Sequence, residues 1–213
     1  MCGRFALTEG MPELSKIFGL KKELLLKKRY NISPGTYIPV IDLKKNIDLY
    51  LWGLDTFINL RLETILDNPH WKKKFIKNRC LIPANAFYEW KVQNRGKQPY
   101  AMVLPKKGVF AMVGLFLEDQ YPDKNQAKKV VIITRSALNQ GDTLAVSSIH
   151  HRMPLILKDL SYSIWFGSKN ILKEKELLTE NLYLDAGHLM SYPVPSAMNQ
   201  VKFDNEACLM SLH

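Results

Sequence analysis

The sequence predicts a single α+β domain, and three observations predict it. PYAMVL (99–104), VFAMVGLFL (109–117) and KVVIIT (129–134) are short apolar runs rich in β-branched and aromatic residues, as strands require. Residues 11–28 and a segment carrying Trp71, Phe75 and Ile76 repeat their apolar positions at helical spacing. No internal repeat, low-complexity tract or linker divides the 213 residues, so one domain over 1–213 is the economical organisation.

The elements follow in order. GRFALT (3–8) reads as a short strand that anchors the amino terminus. Met11 to Lys28 reads as a helix with Pro12 in its first turn and Leu14, Ile17 and Phe18 on one face. Its second half carries Lys21, Lys22, Lys27, Lys28 and Arg29, a solvated face. Pro34-Gly35 marks a turn between strand-like flanks in residues 29–41. IDLYLWGL (47–54) reads as a buried strand. NLRLET (59–64) is a polar constellation threaded with leucines. The helix of Trp71 and Phe75 also carries Lys72, Lys73, Lys74, Lys77 and Arg79. Basic and aromatic residues interleaved this way suit a nucleic-acid surface, and equally an amphipathic helix with its lysines in water.

RCLIPANAFYEWKV (79–92) predicts a turn at Pro83 and then an alternating strand. The polar link 118–128 predicts an exposed hairpin loop. Residues 135–148 read as irregular or briefly helical, leading to the strand-like IHHRMPLIL (149–157). Residues 159–166 and 170–180 read as helices with Trp165 and Phe166 in the core. Residues 192–203 read as extended, and the last ten residues as loose.

Composition narrows the function. Hydrophobic residues are 46% and charged residues 23%, an ordinary globular mix, but the net charge is +10 with a pI near 9.4. That excess points to a polyanionic partner, most often nucleic acid. Three cysteines, Cys2, Cys80 and Cys208, form no even disulfide framework. There is no secretory signature, and no apolar run approaches the ~20 residues of a membrane helix. A cytoplasmic monomer with reduced thiols and no membrane contact is expected, nucleoid-associated if the source is bacterial.

The candidate chemistry starts at Cys2. If Met1 is removed, one residue carries a free α-amine of pKa about 7.7–8.0 beside a thiol. The amine can condense with an aldehyde to a Schiff base, and the thiolate can close on the same carbon to give a thiazolidine. An ordinary small residue in a frayed terminus is the plain alternative. Glu89 lies between Tyr88 and Trp90, where an acid needs a partner or a raised pKa. It reads as a general acid–base candidate or a salt-bridged structural acid. His150 and His151 suggest proton transfer or metal binding. A zinc site is not expected, since no CxxC or HExxH is present. No cofactor is implied.

Taken together and in order, MCGRF, YNISP, LWGL, NLRLET, RCLIPANAFYEW, HHRMPLIL and YPV resemble the SRAP (SOS-response-associated peptidase) family over roughly residues 2–200. The resemblance implies a β-barrel-like, mainly antiparallel core with peripheral helices. It implies a basic groove for single-stranded DNA and capture of abasic sites through a thiazolidine with Cys2. It makes Cys2 the catalytic cysteine, exposed by loss of Met1. Asn59 would position the reacting centre, Glu89 would transfer protons, and His150 would assist sugar ring opening and reversal. Arg61 and Arg152 would bind phosphate, with Arg4, Pro34 and Trp90 also on the DNA surface and Trp90 stacking on a base. Two features depart from the family pattern. Leu60 stands where Ala is usual, and only four residues separate LWGL from Asn59, so the family's wedge tryptophan is absent and Phe57 is the nearest aromatic.

Other classes fit parts of the pattern. A cysteine peptidase would use Cys2 as nucleophile and His150 as base, and autoproteolytic loss of Met1 fits this reading and covalent capture alike. An amidotransferase also begins Met-Cys-Gly, but the other blocks oppose it. A noncovalent single-stranded DNA binder would have no need to keep Cys2, Asn59, Glu89 and His150 together.

Overall fold

Strands that are apolar on both faces must be covered on both faces, and here they close into a barrel. The computed structural model describes residues 2–54, 57–94, 96–106, 108–117, 128–137, 146–169, 183–184 and 188–212. The barrel strands are β3 (Tyr37–Ile41), β4 (Ile47–Trp52), β6 (Arg79–Ala84), β9 (Phe110–Leu117) and β10 (Lys129–Ser136). Each is hydrogen-bonded to two of the others, antiparallel except for the parallel β4–β10 pair. All of β9 is buried. Gly114 in β9 faces Cys80 in β6, where an added Cβ would stand 2.9 Å from the Cys80 sulfur and from an Ile82 methyl. The strands can approach this closely only over a glycine.

A second, antiparallel sheet runs in the order β13 (Met190–Pro193), β8 (Gly96–Val103), β7 (Ala86–Gln93), β1 (Arg4–Leu7) and β2 (Arg29–Ile32). One face packs on the barrel through edge-to-face contacts between Phe5 and Trp52 (5.3 Å) and Phe87 and Phe110 (6.4 Å). The other face holds Ala6, Tyr88 and Ala101 under Val194, Met198 and Cys208 from the carboxyl-terminal segment. Short strands extend the barrel sheet: β5 (Asn59–Arg61) and β11 (Arg152–Pro154) flank β10, and β12 (Ile156–Leu157) pairs with β9. Helices α1 (Met11–Phe18), α2 (Leu62–Asp67), α3 (Pro69–Asn78) and α4 (Tyr162–Gly167) complete the described elements. None of the described helices is long and apolar enough to cross a membrane.

Several expectations change. The first helix ends at Phe18 rather than Lys28, because Gly19 takes a left-handed φ of 63° and donates its N–H to the Ser15 carbonyl. The lysines beyond it therefore share no helical face. Pro83 lies inside β6 and not at a turn. β3 touches β6 only at the Ile41–Leu81 pair, so Pro83 has no bond to lose on that side. The chain turns instead at Asn85, which accepts the Thr8 N–H and donates its own N–H to the Ala6 carbonyl.

Of the last ten residues, the described ones (204–212) are tied down rather than loose. Asp204 accepts from the Arg29 side chain and from the Tyr30 and Asn31 amides, and Cys208 is buried. Within 192–203, extended chain gives way to a 3-10 turn at Ser196–Asn199. The basic-aromatic segment is α3, capped by Asn68, whose side-chain oxygen accepts from the His70 and Trp71 amides. Residues 159–166 are helical as expected, with Trp165 fully buried. The loop at 118–127, the stretch 138–145 and the helix read at 170–180 lie outside the described residues.

Candidate active site

Strand β1 holds the amino terminus against β7. The register Arg4–Tyr88, Phe5–Phe87 brings the start of the chain alongside Glu89, whose charge reaches the Cys2 thiol. Side chains alternate across a strand, so Phe87 and Glu89 share the barrel-facing side while Tyr88 and Trp90 share the other. Cys2 is fully buried and Glu89 is 2% exposed. Burial pushes the Glu89 carboxyl up to about 7. Burial first, and the Glu89 charge second, hold the Cys2 thiol far above its ordinary range, so it is neutral at rest.

Asn59 reaches the same point from β5, whose parallel pairing to β10 sets it opposite Ile132. Its Nδ2 donates to the Cys2 carbonyl at 2.9 Å. Its Oδ1 is buried and accepts no hydrogen bond from the described residues. A buried acceptor left open costs free energy, which a donor arriving at the site would recover.

His150 ends a turn in which its N–H donates to the Val146 carbonyl. Its Nδ1 lies 3.7 Å from Glu89 Oε1. The same nitrogen stands 3.1 Å from the Arg152 N–H and 3.0 Å from the Arg152 carbonyl, so either neutral tautomer is anchored to one backbone unit. Burial lowers the His150 pKa below its ordinary value and favours the neutral ring. A protonatable carboxyl beside a neutral imidazole can pass a proton at neutral pH.

The residues expected to bind DNA divide. Arg61 is exposed at the end of β5 and makes no ion pair among the described residues. Arg152 is 8% exposed, and its guanidinium grips both Glu63 oxygens at 2.7 and 3.0 Å and the Thr134 carbonyl at 2.8 Å. Those hydrogen bonds hold the Glu63 carboxyl below the ordinary carboxylate range. Arg152 therefore braces the loop that carries His150. Arg4 and Trp90 are on the far side of the sheet from Glu89. Arg4 donates to Asn31 Oδ1 and to the Met198 and Asn199 carbonyls, and Trp90 Nε1 donates to Asn199 Oδ1. Pro34 is half-buried in the turn between β2 and β3.

Cys2, Asn59, Glu89 and His150 thus converge from four segments. The sequence reading missed Glu63 as the partner of Arg152, although it lies in NLRLET two residues after Arg61. It named His151 beside His150 but not the stacking of the two rings, whose centroids are 4.5 Å apart. Among the described residues no group of three or more His, Cys, Asp or Glu is placed to hold a metal ion.

Comparison with known proteins adds an independent finding. The pattern of the family described as "SOS response associated peptidase (SRAP)" matches residues 1–201. The "Abasic site processing protein YoqW" of Bacillus subtilis (strain 168) is 31% identical over 232 residues, with 100% of each chain covered. The "Abasic site processing protein YedK" of Escherichia coli (strain K12) is 24% identical over 95% of this chain and 96% of its own. The "Abasic site processing protein HMCES" of Gallus gallus is 26% identical over 72% of this chain and 50% of its own. The X-ray structure of a protein from Bacteroides thetaiotaomicron shares the fold, with a TM-score of 0.81 at 18% identity and 100% of both chains covered. That of a phage-related protein from Bordetella bronchiseptica gives 0.73 at 26% identity, covering 92% of this chain and 95% of that one.

Proposed function

This chain belongs to the SOS response associated peptidase (SRAP) family, and from that premise we propose that it captures abasic sites in single-stranded DNA covalently, through the α-amine and thiol of Cys2 once Met1 is removed. One observation carries the reading. A buried acid whose pKa is raised to about 7 stands near enough for its charge to act on the thiol of Cys2, whose carbonyl is pinned by Asn59. A carboxyl near 7 is matched to an α-amine of about 7.7–8.0, so a proton moves between them at little cost.

The steps balance without a cofactor. The ring-opened abasic sugar presents an aldehyde. The neutral Cys2 amine adds to it, and the hydroxyl leaves as water with a proton supplied by Glu89. The product is a protonated Schiff base. That cation lies next to a thiol kept neutral by burial and lowers its pKa. The thiol then loses its proton to Glu89 and its sulfur bonds to the former aldehyde carbon, closing the thiazolidine. Ring closure consumes the Schiff base before β-elimination can break the strand. His150 relays protons to and from Glu89, and the open Oδ1 of Asn59 accepts from the Cys2 amine. Arg61 contacts a backbone phosphate, a sequence-independent and salt-sensitive interaction.

The test is a single strand with one abasic site, denatured after mixing. Wild type should remain attached. Cys2→Ala should bind the strand in native conditions and release it wholly on denaturation. A Cys2→Ala adduct as abundant as that of wild type would overturn the proposal.

A further inference from the structure

Beside the reacting groups, three aromatic rings meet at the surface. Before β5, Leu54 and Phe57 are joined by two backbone bonds, Leu54 N–H to the Phe57 carbonyl and Phe57 N–H to the Leu54 carbonyl. Phe57 stands edge-on to Trp71 of α3, with centroids 6.2 Å apart and planes at 85°. His70 meets the same indole at 5.6 Å and 80°. The ammonium of Lys74, three residues on, stands 5.7 Å from the indole centroid. Trp71 and Phe57 are half-buried and His70 is exposed, whereas Trp52 and Trp165 are fully buried. Core packing thus accounts for those two indoles, and leaves part of Trp71 in water.

We propose that Phe57, His70 and Trp71 form a stacking platform for a nucleobase next to the captured sugar, with Lys74 passing from the indole to a phosphate when the strand binds. The inference rests on the reading of Cys2 given above. Phe57 precedes Asn59 by two residues, an extended reach of about 7 Å, so the platform adjoins the residue that pins Cys2. The helix that carries Trp71 is cationic: α3 has Lys72, Lys73, Lys74 and Lys77, and no acid lies between Pro69 and Arg79. An exposed ammonium over an indole is worth roughly half or less of a stacked base. A base that displaces Lys74 also frees it for a phosphate, so exchange is favoured.

The test is noncovalent binding to a strand whose central site is a tetrahydrofuran spacer. The spacer has no aldehyde, so the measurement is independent of Cys2 chemistry. A second strand carries spacers at the flanking positions as well. Trp71→Ala should weaken binding to the first strand about 5- to 150-fold, the loss of one stacked base at about 1–3 kcal/mol. It should leave binding to the second strand unchanged. Trp71→Phe should keep most of the affinity, and Lys74→Ala should reduce the salt dependence by about one phosphate contact. If Trp71→Ala does not fold, His70→Ala carries the same comparison with a smaller loss. Equal losses on both strands, or none on either, would overturn the platform alone. Failure of wild type to bind either strand would overturn the capture reading with it.

Discussion

The two faces of the β1–β7 pair use buried polar groups in opposite ways. On the outer face the polar atoms are spent on one another. Asn31 accepts from Arg4 and donates to the Met198, Gln200 and Phe203 carbonyls, and Asp204 takes the Arg29 side chain and two backbone amides. On the inner face Glu89 is kept where its charge is costly, and Asn59 Oδ1 accepts nothing from the described residues. Satisfied polar clusters specify structure, while strained titratable ones are suited to chemistry. Four changes would break or sharpen this contrast.

Cys2→Ala has the largest expected effect, complete loss of the denaturation-resistant adduct with the fold intact. Glu89→Gln comes next, slowing capture about 10²–10⁴-fold in single-turnover assays. The wild-type pH profile should be bell-shaped, needing a protonated Glu89, lost above about 7, and a neutral amine, lost below about 7.7–8.0. Glu89→Gln also sharpens the stability contrast. A raised carboxyl pKa means the folded state holds its proton longer than the unfolded one. Stability is then full below about 4.3 and falls as pH rises to about 7. Urea melts should show the variant gaining on wild type across that window, by on the order of 3 kcal/mol at pH 8.

On the outer face the effects should be reversed in kind. Asn31→Ala removes an internal hub and should cost about 2–4 kcal/mol in the same melts. The capture rate of the folded fraction should stay within about twofold at low temperature, where the outer face contributes only stability. Arg61→Ala should have the smallest effect, a salt slope lower by about one contact with the fold undisturbed.

Much of this was legible in the chain. The runs at 109–117 and 129–134 gave barrel strands because residues apolar on both faces have nowhere else to go. The ordered motif blocks singled out Cys2, Asn59, Glu89 and His150, which the fold brings together. Other features were legible but outweighed. Gly19 marked the end of α1, yet the leucines and lysines after it kept a helical rhythm. Alternation alone puts Glu89 and Trp90 on opposite faces, and with Arg4 opposite Tyr88 it separates Arg4 and Trp90 from Glu89. What no local pattern carries is long-range pairing. Arg152 finds Glu63 across 89 residues, and the carboxyl terminus finds Arg29 across 175.

The most direct measurement is the intact mass of the adduct with a single-site abasic strand, with and without borohydride. The account predicts protein lacking Met1 plus DNA minus one water, unchanged by borohydride because a thiazolidine has no C=N bond to reduce. An adduct that retains Met1, or one that gains two hydrogens on reduction, would contradict it.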